Sequence, residues 1–371
     1  MKITVTTARL QEGLKKVSGI SDGRSCVPIL ANVLLEAKKD GTLRLTTSNL
    51  EMTLGATVEC TVSDEGATTV PMRIFEQAVA VLPAGDVELS VGANEKMTLR
   101  TATSRMTIGG MEAKLFPARK KFGEGCVEAT IARPELVDAL RKTAYAMSRD
   151  DVRKTLNSVL FDLKGDVLTT VATDGRRLAL ARNKLAQAVP EPICFVVPDG
   201  AVVALKKFIA SGEGDLVLRA DATQIEVSTA DKGSFMAAKL VDGAYPDYTR
   251  VIPAEHAGSP VELDRQAFAA ALGRVAIMAS SSTPSVNLTF GENLLSLDVS
   301  GDDECNAHEK MPIKHEGSVK LALNPKYILD VLNASDADAM RLEFGPGFTG
   351  PLTLTAEGEE TVAVIMPLRT A

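Results

Sequence analysis

A chain of 371 residues, 45% hydrophobic and 24% charged with a net charge of −7, is long enough for two or three domains that each bury a core. It has no apolar run long enough for a helical membrane span, and its first residues, Met-Lys-Ile-Thr-Val-Thr, read as a strand and not as a signal peptide. The five cysteines, Cys26, Cys60, Cys126, Cys194 and Cys305, are scattered and form no C-x-x-C pair, which points to buried thiols in a reducing cytoplasm and away from a disulfide framework or a zinc site.

Taken in order, the chain runs through one pattern three times. Leu10, Leu14 and Val17 have helical spacing, and a strand-rich stretch from Ile29 to Leu54 follows. A second helix opens at Pro71, with Ile74, Phe75, Ala78, Val79 and Leu82 as its apolar face, and the strands Val87–Val91 and Met97–Thr101 close this third. The second pass repeats the helix at Leu136, Leu140 and Ala144, the strands from Leu156 to Leu180, and a helix after Pro198 whose face is Val202, Val203, Leu205 and Phe208; Leu216–Arg219 and Ile225–Ser228 close it. The third has Phe268, Leu272 and Val275, strands from Val286 to Val299, and a helix from Pro325 with Ile328, Leu329 and Leu332. The three prolines are spaced by 127 residues, and proline suits a helix start because its missing N–H has no partner there anyway. Connectors at Ala118–Gly125 and Pro253–Pro260 interrupt the periodicity. The expectation is an α+β chain of three similar domains, 1–121, 122–254 and 255–371, each with two helices over antiparallel strands.

One stretch breaks the repeat. Thr169 to Leu180 reads as two short strands around Asp174-Gly175, a hairpin signal in which glycine supplies the positive φ that the turn needs. In the first third the same place is Ser48-Asn49-Leu50-Glu51-Met52, facing Thr173-Asp174-Gly175-Arg176-Arg177. A scaffold turn in one repeat has become a basic corner in another, by drift or for function.

Catalytic chemistry has little to draw on. Gly345-Pro-Gly347-Phe-Thr-Gly350 matches a dinucleotide fingerprint, yet the strand-like Pro351-Leu-Thr-Leu-Thr follows it where a helix must open, so a plain glycine turn is expected. Cys305-x-x-His308 with His315 sits in an acidic loop without a fourth ligand. Three histidines, all near loops or linkers, do not assemble a nucleophile–base pair, and Asp174 is explained by its hairpin. No cofactor, metal or catalytic residue is expected. A repeat-built enzyme acting on DNA or nucleotides would need a convergent acid–base or metal cluster. The other competitor, a monomeric peptide-binding scaffold, differs from a ring in its solution mass.

Charge is unevenly placed. The six predicted helices, 8–19, 72–82, 133–147, 200–210, 264–279 and 325–335, carry twelve Lys or Arg and only six Asp or Glu, although the chain is acidic as a whole. Helices with solvated basic faces account for any one of these. Six in a repeat suggest phosphate contact with duplex, without a helix-turn-helix and without tryptophan for base stacking.

Over its full length the chain resembles the bacterial DNA polymerase III β subunits, the replicative sliding clamps. The resemblance rests on Val27-Pro-Ile-Leu30, Gly66-Ala-Thr-Thr-Val-Pro71, Asp151-Val-Arg153 with Leu156-Asn157, Thr170-Val-Ala-Thr-Asp-Gly175, Lys239-Leu-Val-Asp-Gly243 with Tyr245-Pro-Asp-Tyr248, Tyr327-Ile-Leu-Asp-Val-Leu-Asn333 and Val364-Ile-Met-Pro-Leu-Arg369. It implies the DNA clamp fold, a head-to-tail homodimeric ring around duplex DNA, and a non-enzymatic role as processivity factor. Implied partners are the polymerase III α subunit, the clamp loader and other replication or repair polymerases, held through short linear motifs. Carried over by position, the partner-peptide site is Arg153, Leu156, Thr173, Gly175, Arg176, Arg177 and Leu178, with Pro246 and Val251, and a C-terminal lip of Val364, Met366, Pro367, Leu368 and Arg369. On the residues alone, Val364 to Leu368 could equally be the last core strand. The resemblance also implies DNA contact by Arg24 and Arg73, and a dimer contact in which Met106 and Ile108 meet Ile277 and Met278.

Overall fold

A computed structural model describes residues 1–21, 27–92, 94–123, 125–150, 152–210, 212–302, 305–345, 347 and 350–368. Of the residues singled out above, Arg24, Cys26, Asp151 and Arg369 lie outside this set, as do Pro346, Phe348 and Thr349 of the glycine motif and Glu124 of the first connector.

All six helices are where the periodicity puts them: α1 (Thr7–Val17), α2 (Met72–Ala80), α3 (Arg133–Thr143), α4 (Asp199–Ile209), α5 (Arg265–Ala276) and α6 (Pro325–Ala334). Local chemistry fixes their starts. The Thr6 hydroxyl accepts from Arg9 N–H, Asp264 accepts from Ala267 N–H, and Asn324 accepts from Lys326 N–H just ahead of Pro325. Leu10, Leu14 and Val17 are buried, as are Leu136 and Leu140, and Phe268, Leu272 and Val275. Two expected core residues are not: Ile74 is 53% exposed and Val203 64% exposed. Each is one residue away from the true stripe, Phe75 and Val202, and a single step turns a side chain about 100° around a helix.

The chain folds into two compact units, residues 1–133 with 200–240, and residues 134–199 with 241–371. In the first, an eight-stranded sheet runs from Val127–Ile131 through Leu216–Ala220, Gln224–Thr229 and Ser234–Lys239 to Met52–Glu59, Thr42–Ser48, Asn32–Lys38 and Gly66–Pro71. The second unit repeats this order: Ile193–Pro198, Ser158–Lys164, Val167–Thr173 and Arg177–Lys184 continue into Thr361–Ile365, Leu352–Ala356, Ala339–Phe344 and Ala257–Asp264. Each large sheet therefore joins strands from two different sequence repeats. The seams are antiparallel, with Phe235 opposite Gly55 in one and Leu178 opposite Val364 in the other. Glycine is required at the first seam, because a Cβ on Gly55 would lie 2.0 Å from the Phe235 ring.

Two half-sheets remain. The first unit has a five-stranded sheet ending at Arg105–Gly109, and the second has a four-stranded sheet ending at Asn306–Pro312. Both end strands are unpaired on their outer side among the described residues. Under the second half-sheet lies a core of Phe268, Leu272, Phe290, Ile328, Leu332 and Phe344, with the Phe290 and Phe344 rings edge to face at 5.0 Å.

The connector expected at Ala118–Gly125 is not loose in its described part. Arg119 pairs with Glu226 and lies 4.3 Å from the centre of the Phe235 ring, Lys120 donates to the Thr223 hydroxyl, and Gly123 N–H donates to Asp221 Oδ2 at 2.9 Å. Burial works against the charge on Asp221. Hydrogen bonds from Gly123 N–H, Thr223 N–H and hydroxyl, and the Gln224 amide outweigh it and bring the carboxyl from 3.8 down to about 2. A depressed carboxyl stabilises the fold fully above its unfolded pKa and loses that contribution as pH falls through the folded value. Asp221→Asn should therefore cost about 2 kcal/mol in chemical denaturation at pH 7. The gap to the native chain should close between pH 4 and pH 2, and a gap that stays constant there would assign the cost to packing instead.

Candidate functional site

The basic corner is built by its own short side chains. Asp174 Oδ1 accepts from the N–H groups of Arg176 (2.9 Å) and Arg177 (3.0 Å), while the Thr173 hydroxyl donates to Arg177 O (2.6 Å) and accepts from Gly175 N–H (3.1 Å). This is an Asx turn closed by a hydroxyl, with Gly175 at φ 83°. The first repeat makes the same turn atom for atom. Asn49 Oδ1 accepts from Glu51 and Met52 N–H, Ser48 Oγ accepts from Leu50 N–H and donates to Met52 O, and Leu50 takes φ 72° in glycine's place. The turn is thus common scaffold. What differs most is its last two residues, glutamate and methionine in one copy and two arginines in the other.

Arg177 does not face solvent. Only 9% exposed, it donates through Nε to Asp174 Oδ2 (3.2 Å), through Nη1 to Asp330 Oδ2 (2.6 Å) and through Nη2 to Tyr145 O (2.6 Å). Its guanidinium also lies 4.4 Å from the centre of the Tyr327 ring and 5.5 Å from that of Tyr145. Each of the three guanidinium nitrogens has an acceptor inside the protein, so the side chain is held inward and away from a peptide. Arg176 is the exposed arginine of the pair.

The strands beside the corner form an apolar floor. Leu178 and Val364, directly opposite each other, pack with Leu160, Val171, Leu180 and Val196. Both are 1% exposed, because the segment after residue 240 covers them with Val241, Tyr245, Tyr248 and Ile252. The Tyr245 hydroxyl donates to Val171 O and that of Tyr248 to Asp162 Oδ2, each at 3.4 Å. Around this floor the chain exposes Val251 (41%), Met366 (44%) and Leu368 (37%), together with Pro246. Met366 N–H donates to Arg176 O at 2.9 Å, so the last strand is tied to the corner beyond its regular ladder. The last strand ends at Ile365 with Val364 and Ile365 buried, whereas Met366 and Leu368 after it are exposed. On the remaining side, the exposed Arg153 reaches to within 4.0 Å of where a Gly175 Cβ would be, with Leu156 half-buried after it and Leu156 N–H donating to Arg153 O.

Sequence reasoning missed four participants: Tyr145, Tyr327 and Asp330 around Arg177, and Tyr248 over the floor. The signal for the last was the Tyr245-Pro-Asp-Tyr248 motif itself, two large rings among polar residues. On either side of the glycine motif the strands Ala339–Phe344 and Leu352–Ala356 pair antiparallel, and Gly345 N–H donates to Pro351 O. Among the described residues no three His, Cys, Asp or Glu side chains are grouped to hold a metal, and His308 is hydrogen-bonded to Asp298.

Three family models cover the chain almost end to end: the DNA polymerase III beta subunit N-terminal domain at residues 1–120, the central domain at 130–247 and the C-terminal domain at 249–369. The chain belongs to the DNA polymerase III beta subunit family, the beta sliding clamps. It is 33% identical to the beta sliding clamps of Escherichia coli K12 and Salmonella typhimurium LT2, with all of each chain covered. The crystal structure of the DNA polymerase III subunit beta from Pseudomonas aeruginosa superposes with a TM-score of 0.94 at 27% identity over the whole of both chains. The three-domain clamp fold follows, and with it a protein that is a processivity factor and not an enzyme.

The other positions that resemblance to the clamps singled out are distributed as follows. Ile277 (76% exposed) and Met278 (40%) stand out at the C-terminal end of α5. Met106 is half-buried and Ile108 buried on the inward face of the edge strand Arg105–Gly109, so what this strand offers outward at Ile108 is backbone. Arg73 is exposed in the first turn of α2 and has no partner among the described residues.

Proposed function

We propose that two copies of this clamp close head to tail into a ring around duplex DNA and tether polymerases to it. The reading is supported above all by the repetition of one seam. Met52–Glu59 pairs with Ser234–Lys239, and the equivalent strand Arg177–Lys184 pairs with Thr361–Ile365. The remaining members of those two series are Asn306–Pro312 and Arg105–Gly109, the two open edges. An open edge invites pairing, and head-to-tail contacts repeated by a two-fold axis hide both edges twice. Met106, Ile108, Ile277 and Met278 would lie at those contacts, and the domains would be those expected from sequence, 1–121, 122–254 and 255–371. The site around Thr173–Arg176, Val251, Met366 and Leu368 then docks a linear motif of the polymerase III α subunit, the clamp loader or another polymerase. Its exposed apolar groups anchor the motif, and Arg153, Arg176 and Arg369 orient it. Arg24, Arg73 and the basic helices would face the DNA phosphates without reading sequence. Such a clamp works in the bacterial cytoplasm, where the chromosome is copied.

Topology gives the test. Protein loaded on closed circular DNA by a clamp loader should survive a high-salt wash that removes ordinary phosphate contacts, and should run off once the circle is cut. Equal retention on closed and cut DNA would reject encirclement.

A further inference from the structure

The segment that covers the apolar floor, residues 241–252, carries Pro246 and Val251, so whatever holds it shapes one wall of the partner site. One anchor lies in the sheet beneath. Asp162, on the strand Ser158–Lys164 between Cys194 and Thr169 of the neighbouring strands, is only 5% exposed. Its Oδ2 accepts from Lys164 Nζ (2.8 Å) and from the Tyr248 hydroxyl (3.4 Å), while Oδ1 is buried with no hydrogen-bond partner among the described residues. Lys164 keeps 67% of its side chain in solvent and needs no buried partner. Tyr248 belongs to the short turn Tyr248–Arg250: its carbonyl accepts from Val251 N–H at 3.1 Å, and Asp247 Oδ1 caps the turn at Thr249 N–H. Burial, with the carboxylate beside it, raises the Tyr248 phenol above its ordinary value of 10, so it stays a donor.

The first repeat lacks this link. Its strand Asn32–Lys38 has Glu36 at the fifth place, where Ser158–Lys164 has Asp162, and its covering segment reads Phe116-Pro117 for Tyr245-Pro246. Counted from those prolines, Arg119 stands in the place of Tyr248, and it pairs with Glu226 and not with Glu36. Of these two repeats, only the one that lines the partner site bonds this carboxylate to a hydroxyl of the covering segment, among the described residues. Stability does not explain the carboxylate. Burying it with one oxygen unserved costs more than a single long hydrogen bond returns, and the apolar row beside it, Leu160, Val171 and Val196, suits an apolar side chain.

We propose that Asp162 is a positioning residue for the partner site: through the Tyr248 hydroxyl it fixes the turn that presents Val251, and it is kept for binding at a cost to the fold. The proposal rests on the reading of that site as the place where a linear motif docks. Asp162 itself touches no motif, since it lies beneath the covering segment. Its effect on affinity comes from holding Val251 and Pro246 ready, so that less ordering is left to the moment of binding.

The test measures, on the full chain, affinity for the polymerase III α subunit, melting temperature and hydrogen exchange. Asp162→Leu has the same branched skeleton without the charge, and it should melt at or above the native temperature. The same variant should bind the α subunit about three- to tenfold more weakly, the worth of one hydrogen bond, and exchange faster at the Val251 amide. Asp162→Asn keeps an acceptor for the hydroxyl and should retain most of the affinity. Tyr248→Phe keeps the ring and should lose as much as Asp162→Leu, with no further loss in the double variant. A merely structural role would lower melting temperature and affinity together in Asp162→Leu, and that result overturns the proposal, as do additive losses in the double variant. Val251→Asp separates this proposal from the docking site it rests on. If Val251→Asp loses the α subunit while Asp162→Leu binds it normally, the positioning role alone falls; if Val251→Asp also binds normally, the docking site falls and the proposal with it.

Discussion

A chain carrying Ile277→Asp and Met278→Asp is expected to sediment as a folded monomer at micromolar concentration, and to lose retention on closed circular DNA. Both side chains are exposed in the single chain, 76% and 40%, so a charge there costs the fold little. The surrounding backbone has its own anchors. Met278 N–H donates to Val275 O, and Gly301 packs so closely on the Met278 carbonyl that a Cβ would come within 1.9 Å of its oxygen. In a closed ring the same two positions would be desolvated at both contacts. An unpaired carboxylate buried there costs several kcal/mol, more than a strand-to-strand contact recovers. Circular dichroism should be unchanged, which separates loss of assembly from loss of structure. A dimer that persists would place the interface away from the end of α5 and leave the open edges Arg105–Gly109 and Asn306–Pro312 for another partner.

The helices were legible because their signals are local. Pro325 after Asn324, and the i, i+4 pair Leu10 and Leu14, work over a few residues, and burial followed them closely. The misassigned residues, Ile74 and Val203, are apolar side chains one step off the stripe, where composition without angle misleads. The seams were not legible. Ala237 pairs with Thr53 and Ala179 with Ala363, partners so far apart in sequence that no short-range pattern records them. Hence the meeting of the C-terminal strand with the basic corner came from family resemblance and not from periodicity. The corner itself illustrates both cases. Its turn could be read from Asp174-Gly175, whereas the fate of its two arginines depends on strand parity: Leu178 and Leu180 point to the outer cluster, and Arg177, on the opposite face, points to Tyr145 and α6.

That burial reverses what alanine at Arg177 should do. A peptide-binding arginine would be lost without thermodynamic trace, as is expected for the exposed Met366→Ala, whose stability should stay within about 0.5 kcal/mol of native. Arg177→Ala instead leaves Asp330 and the Tyr145 carbonyl without their donor, and removes the cation between two tyrosine rings. Breaking a buried, hydrogen-bonded pair typically costs about 3–5 kcal/mol. Asp330 keeps 27% of its side chain in solvent, which moves the expectation to about 2–3 kcal/mol. Arg177→Lys should recover less than half, since a single ammonium cannot serve Asp174, Asp330 and a carbonyl in three directions. Hydrogen exchange should quicken at Arg176 and Met366, the pair that ties the corner to the last strand, and partner affinity should fall as a consequence of that loosening. Denaturation and exchange on Arg177→Ala, Arg177→Lys and Met366→Ala decide the matter. If Arg177→Ala binds partner peptide poorly yet unfolds and exchanges like the native chain, the arginine turns outward to the peptide, and its contacts with Asp330 and Tyr145 do not hold the corner.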